Sequence, residues 1–355
     1  VPSSTERGLT ALELASVLRP LGVPAAVRPV TSGTAASGVT LTDGTRLVVK
    51  ASRAGAEPYR HGCATVRTAA EVYTSLAGRG LPVPTVLLAD FSRAVVDADV
   101  VVTTQVPGVP WSELDLDPAG SVRARRELGG LMARLHGVGA PGFGSPAVGA
   151  PGGEEPVTRW RAAFTAMVDA VLRDGADRGV ELPARRVRSV LAAHGPALDA
   201  VAAPAVVHQD LWPANVLLDD DGTLRGVVGA GRAVWGDPLL DLVGADQFGL
   251  WDVDRELLRG NTAAGGVLAV ELASATGPTR FALYRLYRSL VLATEADACG
   301  CGDLAGHRRV VRALVAAALD RLDPAPARRA GRAARPRRAG RARRPGPRPR
   351  RHRGR

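Results

Sequence analysis

The chain has 355 residues, 46% of them hydrophobic and 23% charged. Those proportions describe a folded globular chain and exclude a wholly disordered or collagen-like one. The formal charge of +11 is local: residues 328–355 hold fourteen arginines and no acid, which leaves residues 1–327 at −3. The body is therefore mildly acidic. The Arg/Pro-rich segment, residues 325–355, has no apolar periodicity and is expected to be disordered and open to nonspecific polyanion contact. Aromatic residues make up only 4%, so Ala, Val and Leu must supply most of the core. Cys63, Cys299 and Cys301 are too few for a disulfide framework, which fits a reducing, cytoplasmic setting. Cys299-Gly-Cys301 also departs from the usual C-x₂-C metal spacing. No run of 18 apolar residues occurs and the N-terminus is not led by Lys or Arg. Neither a membrane span nor a signal peptide is expected.

Residues 8–18 place apolar groups at helical spacing, with a break at Pro20 and Gly22. Asp43-Gly44 between V-T-L-T and T-R-L-V-V-K predicts a hairpin that ends at Lys50. Gly33 and Gly38 flank a polar loop of small residues just upstream. Residues 64–76 read as a helix and the Pro-rich connector from Leu81 leads to a strand. The run from Val100 is β-like until Pro107-Gly108.

Beyond this point helices dominate. Leu128, Leu131, Met132 and Leu135 form one stripe within 123–136. Further helices are expected over 158–176, 184–194, most of 238–297, and 311–322. Two short strands flank a D-D-D-G turn at Asp219 to Gly222. The pattern is α+β: an N-terminal lobe over 1–108 and a helical C-terminal lobe over 109–324.

His208, Gln209, Asp210 and Asn215 interrupt an apolar stretch. Four polar groups in such a place need partners or a function. Asp210 can orient and activate a hydroxyl, and Asn215 can offer a carbonyl oxygen to a magnesium ion. They can equally serve as turn caps. Lys50 can hold phosphate oxygens as a point charge, or be an ordinary edge-strand lysine.

Several segments share an order that resembles the aminoglycoside phosphotransferase and fructosamine-kinase-like group, which has the two-lobed protein-kinase-like fold. They are L-P-V-P from Leu81, L-H-G-V-G-A-P-G-F-G from Leu135, V-H-Q-D-L-W-P-A-N-V-L-L from Val207, and W-G-D-P-L-L-D-L-V from Trp235. Val49-Lys50 after the hairpin adds to them, and the likeness covers roughly 20–322. The resemblance implies ATP or GTP between the lobes and phosphoryl transfer to the hydroxyl of a small-molecule substrate. It implies Asp210 as catalytic base, His208 as the residue that orients its loop, and Asn215 as a Mg²⁺ ligand. Lys50 would contact the α and β phosphates, beneath a loop that includes Gly33, Thr34 and Ser37.

The chain departs from the family in three places. Gln209 stands where the family commonly has Gly, so its side chain needs space and, if buried, partners. The principal metal-binding Asp is replaced by Gly229, in a register held by R-A-V-W-G-D-P downstream. The helix acid expected to pair with Lys50 falls nearest Ala69, while Glu71 lies two positions on and off that face. Asp237, Asp241 and the Asp219–Asp221 turn are not expected to reach the vacant place. Three readings follow: a small-molecule kinase that tolerates Gly229, an inactive kinase-fold module that binds a ligand or partner, and an enzyme that uses the same cleft for other chemistry. Asp246, Asp252, Asp254 and Glu256 are the candidate acidic wall for a cationic acceptor.

Overall fold

Thr10 starts the first helix, α1 (Ala11–Leu18). Its hydroxyl accepts from the Glu13 amide, and the Glu13 carboxylate accepts from the Thr10 amide, closing a capping box. The structure is a computed structural model. It describes residues 8–29, 36–53, 59–62, 65–147, 157–246, 248–249, 252–298 and 302–322. The three cysteines, Gly33, Thr34 and the arginine-rich segment lie outside the described residues.

Leu14, Val17 and Leu18 recur on one stripe of α1 and are buried. They cover an antiparallel sheet of five strands: β1 (Pro24–Pro29), β2 (Ala36–Leu41), β3 (Arg46–Arg53), β4 (Val86–Asp90) and β5 (Ala98–Thr104). The spatial order is β1-β2-β3-β5-β4. The Asp43-Gly44 turn forms as expected, with Gly44 at φ +85° and the Thr45 amide donating to the Asp43 carboxylate.

Side chains alternate across a strand, so neighbouring positions face opposite sides. Val49 and Ala51 of β3 join Val39, Leu41, Val100 and Val102 under α1. Lys50 is paired with Val101 of β5 and faces the other side. There α2 (Thr65–Leu76) packs Val66 and Ala70 on Val101.

The chain then passes through β6 (Val109–Pro110) into α3 (Pro118–His136), capped by Asp117 with Pro118 in the first turn. Two helices follow, α4 (Trp160–Asp177) and α5 (Ala184–His194). Four short strands come next: β7 (Ala205–Val207), β8 (Val216–Leu218), β9 (Leu224–Val227) and β10 (Val234–Gly236). β6, β8 and β9 form one ribbon, and β7 pairs with β10 in another. The last helices are α6 (Leu239–Ala245), α7 (Arg255–Ala263), α8 (Leu268–Ala273), α9 (Gly277–Thr294) and α10 (Leu304–Leu322). None of the described helices is long and apolar enough to cross a membrane.

The α+β expectation holds, and the described residues from 8 to 322 belong to one compact unit. Two differences from the expected elements have local causes. Gly38 is a strand residue opposite Val48, not the end of a loop, because β2 begins at Ala36. The last helix starts seven residues early, at Leu304, where Asp303 accepts from the Gly306 amide.

The helical part is keyed by Asp237, which has no exposed surface. Arg280 Nη1 and the Tyr284 hydroxyl each donate to its Oδ2 at 2.6 Å. Trp160 Nε1 donates to the same tyrosine at 2.7 Å. Asp237→Ala leaves the buried Arg280 without its main counter-charge, so the expected loss is about 3–5 kcal/mol. Urea denaturation measures it, and a loss under about 1 kcal/mol, the size of a surface pair, would refute this role.

Candidate functional site

The loop after β7 is held from beneath by Asp241, which is fully buried in the first turn of α6. Asp241 Oδ1 accepts from the Gln209 amide at 2.6 Å. Its Oδ2 accepts from the His208 amide at 3.1 Å and bonds His136 Nε2, at the end of α3, at 2.9 Å. The approach is so close that a Cβ on Gly244 would lie 2.5 Å from the Gln209 carbonyl oxygen. Gln209 sits at φ +63°, a left-handed conformation that side-chain-bearing residues rarely adopt. This explains why glycine suits the position. Gln209 Nε2 donates to the Arg232 carbonyl at 3.0 Å, so the larger side chain has the partner its burial demands.

This sharp turn presents Asp210. Asn215 Nδ2 donates to the Asp210 carbonyl at 2.9 Å and to its Oδ2 at 3.0 Å. Arg288 Nη2, from α9, donates to Oδ1 at 3.1 Å. Lys50 is close enough to feel the same charge: burial pushes its ammonium below the usual lysine range and Asp210 pulls it back up. His208 is buried, and burial lowers its basicity against the opposing pull of Asp241 and Asp210. The ring is therefore neutral at pH 7, and its Nδ1 accepts from the Asp210 amide at 3.3 Å.

Arg288 is thus bonded to Asp210, and the Asp210 charge raises Arg232 as it does Lys50. Arg232 Nη2 contacts both oxygens of Glu295 at 2.8 and 2.9 Å. Glu295 also meets His61 Nε2 at 2.8 Å, and His61 Nδ1 meets Asp174 at 2.7 Å. The His61 side chain is 1% exposed. Both ring nitrogens face carboxylates. This chain ties the segment before α2 to α4 and to the end of α9.

Gly229 follows β9 at φ +85° and ψ 27°. A Cβ there would sit 2.7 Å from Asn215 Nδ2 and 2.8 Å from its Oδ1. The space an acidic side chain would enter is filled by the Asn215 amide. The next amide, of Ala230, donates to the Tyr73 hydroxyl of α2 at 3.3 Å. Burial pushes Tyr73 up to about 12, against the opposing effect of the Ala230 and Gly229 amides.

Magnesium takes near-ideal octahedral oxygen coordination. Asp210 and Asn215 offer oxygens here, but Asp210 is bonded to Arg288 and Asn215, and Gly229 brings no carboxylate. Asp237 and Asp241 are committed to buried bonds. Asp219 pairs with Arg225 and Asp221 with Arg123. Among the described residues, no group of three or more His, Cys, Asp or Glu side chains is placed to hold a metal ion. The donor set does not fit magnesium.

The other expected site residues are dispersed. Glu71 is exposed on α2 while Ala69 and Ala70 face inward, as their angular separation requires. Ser37 is paired with Val49 and so lies on the α1 side of the sheet, opposite to Lys50. A Cβ built on Gly8 comes within 3.9 Å of its Oγ. The candidate acidic wall is largely neutralised: Asp246 pairs with Arg285, Asp254 with Arg125, and Glu256 with Arg126 and Arg259. Arg232, Arg288, His61 and Glu295 were not expected from the sequence. Each comes from a segment far along the chain, with no local spacing to mark it.

The fold and this loop define a protein-kinase-like architecture. The family model described as "Phosphotransferase enzyme family" matches residues 26–284, and the chain belongs to that family. Among solved structures, it is similar to a putative fructosamine-3-kinase from Thermobifida fusca at 27% identity and a TM-score of 0.59, over 86% of this chain and 98% of that one. A thermostable mutant of aminoglycoside phosphotransferase APH(4)-Ia, in ternary complex with ADP and hygromycin B, matches at 20% identity and a TM-score of 0.60, over 86% and 98% of the two chains. The macrolide 2'-phosphotransferase MphH from Brachybacterium faecium matches at 21% and 0.51, over 86% and 97%. No curated protein matches the chain.

Two outcomes follow from this geometry. Gly229→Ala forces a side chain into a left-handed residue against Asn215, and is expected to cost at least about 1–2 kcal/mol. Chemical denaturation reads this, and an unchanged midpoint would contradict the crowding. For Asp174 and Glu295, burial raises each carboxyl, but bonds outweigh it: the His61 and Arg60 amides and the His61 ring at Asp174, and His61 and Arg232 at Glu295. Both carboxyls are held below their unfolded values. Their stabilisation is complete above the ordinary carboxylate range of about 4 and is lost as pH falls through the lowered folded values. Melting temperature followed down through that window should fall less steeply in Asp174→Asn than in the native chain. Parallel curves would contradict it.

Proposed function

We propose that the chain transfers the terminal phosphoryl group of ATP or GTP to a hydroxyl of a sugar, amino sugar or related metabolite. The observation that carries this reading is the setting of Asp210. Its carboxylate is fixed by Asn215 and Arg288 at the tip of a loop anchored by Asp241, and it lies within the field of Lys50. In this reading Asp210 is the catalytic base. It receives the acceptor's hydroxyl proton as the acceptor oxygen bonds to the terminal phosphorus, and the bond from that phosphorus to the nucleoside diphosphate oxygen breaks. Lys50 holds the phosphates of the donor, and neutral His208 keeps the loop in register. The sheet-rich lobe, 1–108, supplies Lys50, and the helical lobe, 109–324, supplies Asp210. Gly33 and Thr34, which the family resemblance assigns to the loop over the phosphates, lie outside the described residues.

The family supports phosphotransferase chemistry. The similar structure with ADP and hygromycin B supports a nucleotide beside a small hydroxylated acceptor. The arginines that neutralise Asp246, Asp254 and Glu256 favour a neutral or weakly charged acceptor over a polycation. Gly229, crowded by Asn215, favours a second reading, in which the same cleft binds nucleotide and ligand without transfer.

Nucleotide consumption and acceptor phosphorylation, followed over a panel of sugars, amino sugars and polyols, separate the two. Active transfer that falls by at least about 10²-fold in Asp210→Asn is the expected result. Transfer unaffected by that substitution would remove Asp210 as base. Nucleotide binding with no transfer to any acceptor would establish the second reading.

A further inference from the structure

Gly229 removes the carboxylate that would carry a metal ion, and the Asn215 amide occupies the space beside it. A nucleotide entering this cleft still brings several negative charges that must be balanced. Arg288 is bonded to Asp210 there, and the Asp210 charge also acts on Lys50 and Arg232. Lys50 comes from β3 on the face opposite α1, Arg232 from the turn after Gly229, and Arg288 from α9. We infer that Lys50, Arg232 and Arg288 hold the nucleotide's phosphates directly, in place of a divalent ion. The inference rests on the nucleotide-binding part of the function proposed above.

The arginines suit this task in detail. A guanidinium presents five N–H donors in a planar fork and pairs with phosphate as readily as with carboxylate. Arg232 meets Glu295 through Nη2, and Arg288 meets Asp210 through Nη2. Arg288 is 9% exposed, and its Nε is buried without a hydrogen-bond partner among the described residues. A phosphate oxygen is a natural acceptor for such a donor.

Among the described residues, Asp210 is bonded to Arg288 and Glu295 to Arg232. Glu295 is shared with His61, whose other nitrogen is bound by Asp174. Glu295 thus divides its hydrogen-bonding capacity between His61 and Arg232. Glu295, held by His61, sets where the Arg232 guanidinium sits.

Isothermal titration of the full chain with ATP, in excess EDTA and again in magnesium, tests the inference. The expected result is an affinity that changes by less than about threefold between the two, because no ion bridges protein and phosphate. In EDTA, Lys50→Met and Arg232→Met should each weaken binding by about tenfold or more, the size of a lost charge-assisted contact. Lys50→Met keeps the buried stem and removes only a charge that burial already disfavours, so it remains a folded probe if Arg232→Met does not. Circular dichroism confirms the fold of each.

ATP that binds only with magnesium overturns the inference and leaves the proposed function standing. No ATP binding in either condition overturns both. Binding in EDTA that both folded variants retain at full strength assigns the nucleotide to another surface, such as the fourteen arginines of 328–355, and also overturns it.

Discussion

Asp241 is the constraint on which the site depends. A carboxylate with no exposed surface is tolerable only when its oxygens are fully met by donors. Asp241 draws those donors from two places, the His136 ring at the end of α3 and the consecutive amides of His208 and Gln209. Satisfying it therefore pins α3, α6 and the loop after β7 to one another. The same demand forces Gln209 into its left-handed conformation, and that turn delivers Asp210 to Asn215 and Arg288. Asp237, four residues earlier, does for α9 and α4 what Asp241 does for the loop, through Arg280, Tyr284 and Trp160. The G-D-P-L-L-D segment is thus a framework, and its acids are unavailable for ion binding.

A second set of charges connects this framework to the sheet-rich part. From Asp174 through His61 and Glu295 to Arg232, each side chain is bonded to the next. Buried charges cost free energy unless they are paired, so the chain is retained as a unit or lost as a unit. It sets the position of the 59–62 segment, from which α2 begins, relative to α4. It also fixes Arg232, on which the Asp210 charge acts. The cleft is accordingly rich in fixed positive charge and poor in carboxylates that could hold a cation.

Much of the fold was legible because it is written in local periodicity. The Asp43-Gly44 hairpin, the helix stripes of α2 and α3, and the short strands around the D-D-D-G turn follow from neighbours within a few residues. β1 was harder, since P-A-A-V-R-P begins and ends in proline and has few β-branched residues. In the site, Asp210, Asn215, His208 and Lys50 stood out because they interrupt or end apolar runs, and the structure brings all four together. Gly229 was legible as an absence through the family resemblance, with the downstream register fixing its place. Its consequence, the Asn215 amide packed against it, was not, because that contact depends on the path of the backbone in three dimensions. Glu71 and Ser37 failed to join Lys50 for geometric reasons: one is off the inward face of its helix, the other on the wrong side of its sheet. Arg288 and the His61 chain carried no signal, since a helix arginine and a loop histidine acquire meaning only through partners tens to hundreds of residues away.

The central claim is that this cleft receives nucleotide phosphates beside Asp210 with protein cations where a metal would stand. A crystal structure of the chain soaked with ATP and magnesium tests it most directly. The account predicts phosphate oxygens against Lys50 and Arg232, Asp210 still bonded to Asn215, and no ion in the space between Asn215 and Gly229. A magnesium ion coordinated there by Asn215 and Asp210, with the arginines turned away from the phosphates, would contradict it.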